Sequence, residues 1–171
     1  MQGAYSEITY NEKTVTKRIT LDESNPHVTL EVSAARETYF TMLARMGYPN
    51  IPTIYSLQGT NITMERIYGQ SSTEYIKNYP TKEMIDIILN AVSYAIHGII
   101  SVGVFNSDTT PNNMIIDDKG NLWLIDFGVA RHICECDDKK ELYNISINNF
   151  KMDFAEQLTE LGLNPIIPSD W

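Results

Sequence analysis

Asn106-Ser107-Asp108-Thr109-Thr110-Pro111-Asn112-Asn113 and, a short way on, Leu124-Ile125-Asp126-Phe127-Gly128 decide how this chain reads. Between them lie two apolar stretches, Asn113 to Ile116 and Leu122 to Ile125, around the polar turn Asp117-Asp118-Lys119-Gly120. That alternation predicts a hairpin. A hairpin would bring Asp108, Asn113 and Asp126 to one point on rigid strand ends. Two acids and an amide at one point suit phosphoryl transfer from a nucleotide. That reaction needs a carboxylate to orient the acceptor hydroxyl, oxygen ligands for Mg²⁺ and a cation for the growing phosphate charge. Mg²⁺ prefers such hard oxygen donors. Taken singly, Asp-Phe-Gly is an ordinary turn and Asp108 an ordinary helix cap. The joint spacing carries the functional reading.

These segments resemble the catalytic and metal-binding loops of the protein-kinase superfamily, written H-R-D-x-x-x-x-N and then D-F-G. The likeness is greatest to the small atypical kinase of the KEOPS tRNA-modification complex, whose loop reads much like H-G-D-L-T-x-x-N. It extends from about Gly3 to Tyr143. The resemblance implies Asp108 as the catalytic Asp, and Asn113 and Asp126 as metal ligands. Upstream, Val15-Thr16-Lys17 resembles the strand presenting the phosphate-anchoring Lys, and Glu37 is the best match for its partner, with Glu31 a weaker one. Ile62-Thr63-Met64-Glu65-Arg66-Ile67-Tyr68-Gly69 is similar to a kinase hinge. Met64 would be the gatekeeper. The Glu65 carbonyl and Ile67 amide would read the adenine edge, and Val15 and Ile115 would sandwich the ring. Gly3-Ala4-Tyr5-Ser6 stands at the phosphate loop, with Gly3 and Ser6 as nucleotide contacts and one glycine where ordinary kinases show three. The cofactors implied are ATP and Mg²⁺.

Departures from the pattern carry information too. Asn106 replaces the usual His, and its amide can still bond the backbone near Asp126. Ser107 replaces the usual Arg, which leaves an activation-loop phosphate without its partner. Residues 129–171 are too few for the ordinary activation segment and peptide-docking helices. His132, Cys134 and Cys136 have poor zinc spacing and read as ordinary side chains and free thiols.

The formal net charge of −9, with no basic face, argues against direct nucleic-acid binding. No stretch approaches the ~20 apolar residues of a membrane span, and the polar start Met1 to Tyr10 lacks a signal-peptide core. Two close cysteines give no disulfide framework. An intracellular, cytoplasmic protein is expected.

Glu7 to Asn11 and Thr14 to Ile19 predict a strand pair, and Val28 to Met46 a helix with Leu30, Ala34, Phe40 and Leu43 near one face. Thr53 to Leu57 and Asn61 to Ile67 predict a second pair. Thr81 can cap a long helix, Lys82 to Val102, whose Met84, Ile87, Ile88, Val92, Ile96 and Ile99 recur at helical spacing. A last helix carries Phe150, Phe154, Leu158 and Leu161. The expectation is one α+β kinase-like domain over 1–171, with a reduced sheet lobe to about Tyr68 and a truncated helical lobe from about Gly69. ATP- and Mg-dependent phosphotransfer follows, to Ser or Thr of a protein substrate, in cis, or as ATP hydrolysis serving a partner protein. A non-catalytic nucleotide-binding scaffold and a small-molecule kinase are the alternatives.

Overall fold

The computed structural model describes residues 4–22, 27–133 and 138–163. Strands β1 (Ala4–Tyr10) and β2 (Thr14–Asp22) pair antiparallel around a turn closed by the Asn11 amide on the Thr14 carbonyl, 2.8 Å. Side chains alternate across a strand. On β2 this turns Lys17 and Ile19 inward, at 6% and 1% exposure, while Arg18 and Thr20 face out. A charged residue thus takes a core-facing register position. β3 (Ile54–Gln58) and β4 (Asn61–Glu65) complete a four-stranded antiparallel sheet in the order β1-β2-β4-β3. β4 ends at Glu65, two residues short of expectation, although the Arg66 amide still donates to the Lys13 carbonyl in the same register.

Helix α1 (Leu30–Gly47) packs against this sheet, its start capped by the Thr29 hydroxyl accepting from the Val32 amide. Val28 lies before the helix and is exposed. The buried stripe is Ser33, Ala34, Glu37, Phe40, Thr41 and Ala44, at helical spacing. Ile19, Ala34 and Ile62 form a small apolar cluster between helix and sheet, with Leu30, Ile54 and Met64 around it.

The second half holds a larger core. β5 (Gly69–Ser71) leads into α2 (Ser72–Asn78) through a capping box between Ser71 and Glu74. The Thr81 hydroxyl caps α3 (Lys82–Ser101), and Gly103 follows its end at φ +87°. A two-stranded ladder of β6 (Val104–Phe105) and β9 (Arg131–His132), not foreseen in the sequence, brackets the functional segments. Between them a 3₁₀ turn (Pro111–Asn113) leads into the hairpin of β7 (Met114–Asp117) and β8 (Leu122–Leu124), with β5 as third strand. The Asp117 carboxylate organises the hairpin turn, accepting from the Lys119 and Asn121 amides and from the Asn121 and Trp123 side chains. Helix α4 (Lys139–Glu160) closes the order.

Two apolar expectations shift. Ile87 is 52% exposed and Ile85 takes its inward place. Leu161 caps α4 and is exposed, while Phe150, Phe154 and Leu158 are fully buried as expected. The view that no segment approaches a membrane span also needs qualifying. α3 is long and apolar enough to cross one by length and composition, a test that core helices of soluble proteins also pass. Here its Ile85, Ile88, Val92, Ala95, Ile96, Ile99 and Ile100 are buried in the core. The mixed α/β architecture with antiparallel sheets is consistent with the expected kinase-like fold.

α1 and α3 meet backbone to backbone. A Cβ on Gly47 would lie 2.0 Å from the Gly98 carbonyl oxygen, and one on Gly98 would lie 2.5 Å from that of Gly47. Backbone cannot yield as a flexible side chain can. Gly98→Ala is therefore expected to destabilise by about 1–3 kcal/mol through forced separation of the helices, read as a lower urea midpoint with unchanged slope.

Candidate active site

Three separate elements converge on one ammonium. β2 points Lys17 inward, α1 presents Glu37 from its buried stripe, and the turn after β8 supplies Asp126. Lys17 Nζ lies 2.8 Å from Glu37 Oε1 and 2.9 Å from Asp126 Oδ1. The Lys17 and Glu37 side chains are nearly inaccessible, whereas that of Asp126 is 40% exposed. Burial alone disfavours the Lys17 charge, yet the carboxylates of Glu37 and then Asp126 outweigh it and hold the ammonium above its ordinary range. Burial pushes the Glu37 carboxyl up, Lys17 draws it back, and Asp126 adds to the rise. Glu37 Oε2 has no hydrogen-bond partner among the described residues. Glu31 is exposed, which leaves Glu37 as the partner of Lys17.

Asp126 is held in an uncommon backbone state, φ +62°, the one positive φ outside glycine among the described residues. Two bonds fix it there. Asn106 Nδ2 donates to the Asp126 carbonyl at 2.9 Å, the role expected of it from the sequence, and the Gly128 amide donates to Asp126 Oδ1 at 3.1 Å. Phe127 is buried in the core beneath. Gly128 passes so close that a Cβ would sit 3.3 Å from Asp126 Oδ1 and 3.4 Å from Glu37 Oε2.

Asn106 also ties in the neighbouring loop. Its Oδ1 accepts from the Asp108 amide at 3.2 Å, while Asn113 Nδ2 donates to the Asp108 carbonyl and to Asp108 Oδ2 at 3.0 and 2.9 Å. The Ile125 amide in turn donates to the Asn113 carbonyl, 2.9 Å. α4 supports the loop from outside, where Thr109 donates to the Ser146 carbonyl. Burial first, then the Asp126 charge, raises the Asp108 carboxyl, with Asp153 adding and Asn113 and Lys17 opposing.

Beside these groups opens a cleft of about 270 Å³. Ser6, Val15, Lys17, Glu37, Met64, Glu65, Ile67, Ile115 and Asp126 all line it. Asp108 and Asn113 adjoin it in the loop rather than in its wall. Gly3 lies outside the described residues, as do Cys134 and Cys136. Val15, Met64, Ile67 and Ile115 are half-buried rather than buried, since each turns a surface to the cleft. The Glu65 side chain turns away to Thr53, whose hydroxyl donates to it at 2.9 Å. Among the described residues the Ile67 amide meets no protein acceptor.

Ile8, Tyr10, Pro52, Arg66 and Ile125 also line the cleft and were missed. Period-two alternation from Ser6 would have found Ile8 and Tyr10; nothing local signals Pro52. Arg66 bridges the outer end. Its guanidinium sits 5.1 Å from the Tyr10 ring centroid and 4.6 Å from that of Tyr68, and donates to the Asn11 carbonyl at 2.8 Å. Tyr68 in turn donates its hydroxyl to the Glu12 carbonyl. His132 packs against Tyr39 and Phe40, with Tyr39 Oη 3.0 Å from its Nε2.

The chemistry of the donors fits a hard divalent cation. Asp126 Oδ2 and Asn113 Oδ1 accept no hydrogen bond among the described residues, and both are oxygens. Among those residues no group of three His, Cys, Asp or Glu forms a complete metal cluster.

Lys17→Met would strand Glu37 as a buried uncompensated acid. A loss of about 3–5 kcal/mol is expected, and the added change Glu37→Gln should restore most of it. Urea denaturation of the single and double variants measures both.

Comparison with known proteins bears on the same residues. The ABC1 atypical kinase-like domain family matches residues 18–160. Serine/threonine-protein kinase PrkC of Bacillus subtilis is 35% identical over 92 residues, covering 50% of this chain and 14% of that protein. Human serine/threonine-protein kinase greatwall is 31% identical over 116 residues, 64% of this chain and 13% of that protein. CBL-interacting serine/threonine-protein kinase 21 of Arabidopsis thaliana is 30% identical over 94 residues, 50% of this chain and 22% of that protein. The chain thus spans less than a quarter of the length of each of these relatives. With most of its length matched, the chain belongs to the family of ABC1 atypical kinase-like domains.

Proposed function

We propose that the protein is an ATP- and Mg²⁺-dependent phosphotransferase whose acceptor is a Ser or Thr hydroxyl of a protein. The sheet half and the helical half would serve as two lobes around the cleft, meeting near Tyr68. The observation that carries the reading is the bonded chain Glu37–Lys17–Asp126–Asn106–Asp108–Asn113, built from four separate segments and running from the cleft wall into the adjoining loop. A structural ion pair alone needs no such extension into a second loop.

In this reading the apolar walls, Val15 and Ile115 with Met64, hold the adenine, and the Ile67 amide bonds its edge. Lys17, kept charged by Glu37, neutralises phosphate oxygens. Asp126 and Asn113 would hold Mg²⁺, which supplies charge neutralisation on the transferring phosphoryl group. Asp108 accepts a hydrogen bond from the acceptor hydroxyl and orients its oxygen for attack, with Asn113 fixing its rotamer. The PrkC and greatwall relatives are named serine/threonine-protein kinases, which favours that acceptor class. The KEOPS-type likeness, an intracellular setting, autophosphorylation and dependence on a partner protein belong to the same proposal.

The test is turnover of radiolabelled ATP by the purified protein. Asp126→Ala should abolish Mg-dependent turnover. Asp108→Asn should keep nucleotide affinity and lose about a hundredfold or more in rate. Nucleotide binding without transfer or hydrolysis in the wild type would instead identify a nucleotide-binding scaffold.

The pH profile gives a second check. Asp108 must be ionised to hold the acceptor hydroxyl strongly through its hydrogen bond, and its carboxyl is raised above the ordinary 3.8 by burial and then by Asp126. Activity should therefore fall as pH drops through a value above 3.8. Asp153 raises the same carboxyl, so Asp153→Asn should move the acid limb of kcat/KM to lower pH. A limb that stays put or moves upward would exclude Asp108 as the titrating group.

A further inference from the structure

We infer that the Lys17 ammonium is a built-in counter-ion that keeps divalent cations off Asp126 until nucleotide phosphates draw it away. The inference rests on the nucleotide-binding reading above and adds an order to it: the metal enters with or after the nucleotide, not before.

Asp126 Oδ1 is already doubly engaged, by Lys17 Nζ at 2.9 Å and by the Gly128 amide at 3.1 Å. Bidentate coordination through both oxygens is closed while these bonds stand. A divalent ion on Oδ2 alone would face a full positive charge across one carboxylate, in a partly buried setting where charges are poorly screened. Asn113 adds one neutral oxygen, and the described residues form no cluster of three acidic or imidazole ligands to offset that repulsion. Anionic phosphates change the balance. They offer Lys17 new partners and give the metal oxygens that the protein lacks.

Glu37 sets how far Lys17 can go. Its Oε1 holds the ammonium at 2.8 Å, and its buried Oε2 has no hydrogen-bond partner among the described residues. Complete departure of Lys17 would leave that acid without compensation. Lys17 therefore releases Asp126 while remaining on Glu37, and the switch is a pivot of one side chain between Asp126 and phosphate.

The experiment is a Mn²⁺ titration of the whole chain without nucleotide, followed by electron paramagnetic resonance of free Mn²⁺. Three proteins are compared: the wild type, Lys17→Met with Glu37→Gln, and that pair with Asp126→Asn. The paired change removes the counter-ion without stranding Glu37. It is expected to bind one Mn²⁺ at least tenfold tighter than the wild type, and Asp126→Asn should abolish the gain. Equal affinities in wild type and pair, or a gain that survives Asp126→Asn, would overturn the inference. Should the paired variant not fold, the wild type alone decides. Its Mn²⁺ affinity should rise at least tenfold at saturating ADP, and ADP affinity should rise by the same factor with Mn²⁺. Equal Mn²⁺ affinity with and without ADP would overturn it. Failure to bind ADP at all counts against the nucleotide reading, whereas the nucleotide-free comparison speaks to the counter-ion alone.

Discussion

A buried lysine that must find its charge partners governs this structure. Taking an ammonium out of water costs several kcal/mol even after relaxation. Lys17 incurs that cost because strand alternation turns it inward beside Ile19. Two carboxylates at hydrogen-bond distance offset it, one from α1 and one from the turn after β8. Neither carboxylate reaches Lys17 unless its own element is in place. α1 must lie with its Glu37 stripe on the sheet, and Asp126 must adopt its left-handed backbone state. The ion triad therefore reports on the assembly of both halves at once, and Asn106 extends the same constraint into the loop of Asp108 and Asn113.

Much of this is legible in the sequence. The long periodic helix after Thr81, the hairpin with its Asp-Lys-Gly turn and the two strand pairs follow from local pattern, and local pattern determined them. What escaped depends on distant partners. β6 and β9 are two residues each and exist only through their mutual pairing across the functional segments. No sequence window contains both. The helical phase of α3 held at Ile88, Val92, Ile96 and Ile99, and the one misplaced position is Ile87: Met84 to Leu89 is apolar with one interruption, so Ile85 and Ile87 compete on pattern alone. Tertiary packing chose Ile85. Leu161 was assigned inward by extending the helical period one residue past the point where α4 stops.

The site shows the same division. Lys17, Glu37, Asp108, Asn113 and Asp126 were found through spacing and family likeness, and the structure brings them together. The cleft wall was found in part. Its hinge side was read from the likeness of Ile62 to Gly69 to a kinase hinge, while Ile8, Tyr10 and Pro52 come from segments whose nearness to that stretch is a product of sheet order. Val15, Met64, Ile67 and Ile115 are half-buried because a wall residue keeps one side open. Chemistry-bearing residues are recognisable by type, but apolar wall residues are chosen by topology.

The Arg66 stack at the outer end of the cleft has a thermodynamic consequence. Its guanidinium, the Tyr68 hydroxyl and the Arg66 amide each tie residues 66–68 to the β1–β2 turn. These contacts lie wholly within the protein. Much of the ordering that a flexible cleft would undergo on binding is thereby completed during folding. A guest of the right shape loses less conformational entropy on entry, and one of the wrong shape finds a frame that does not readily widen. Selectivity at this end of the cleft is written into the chain's own contacts as stiffness.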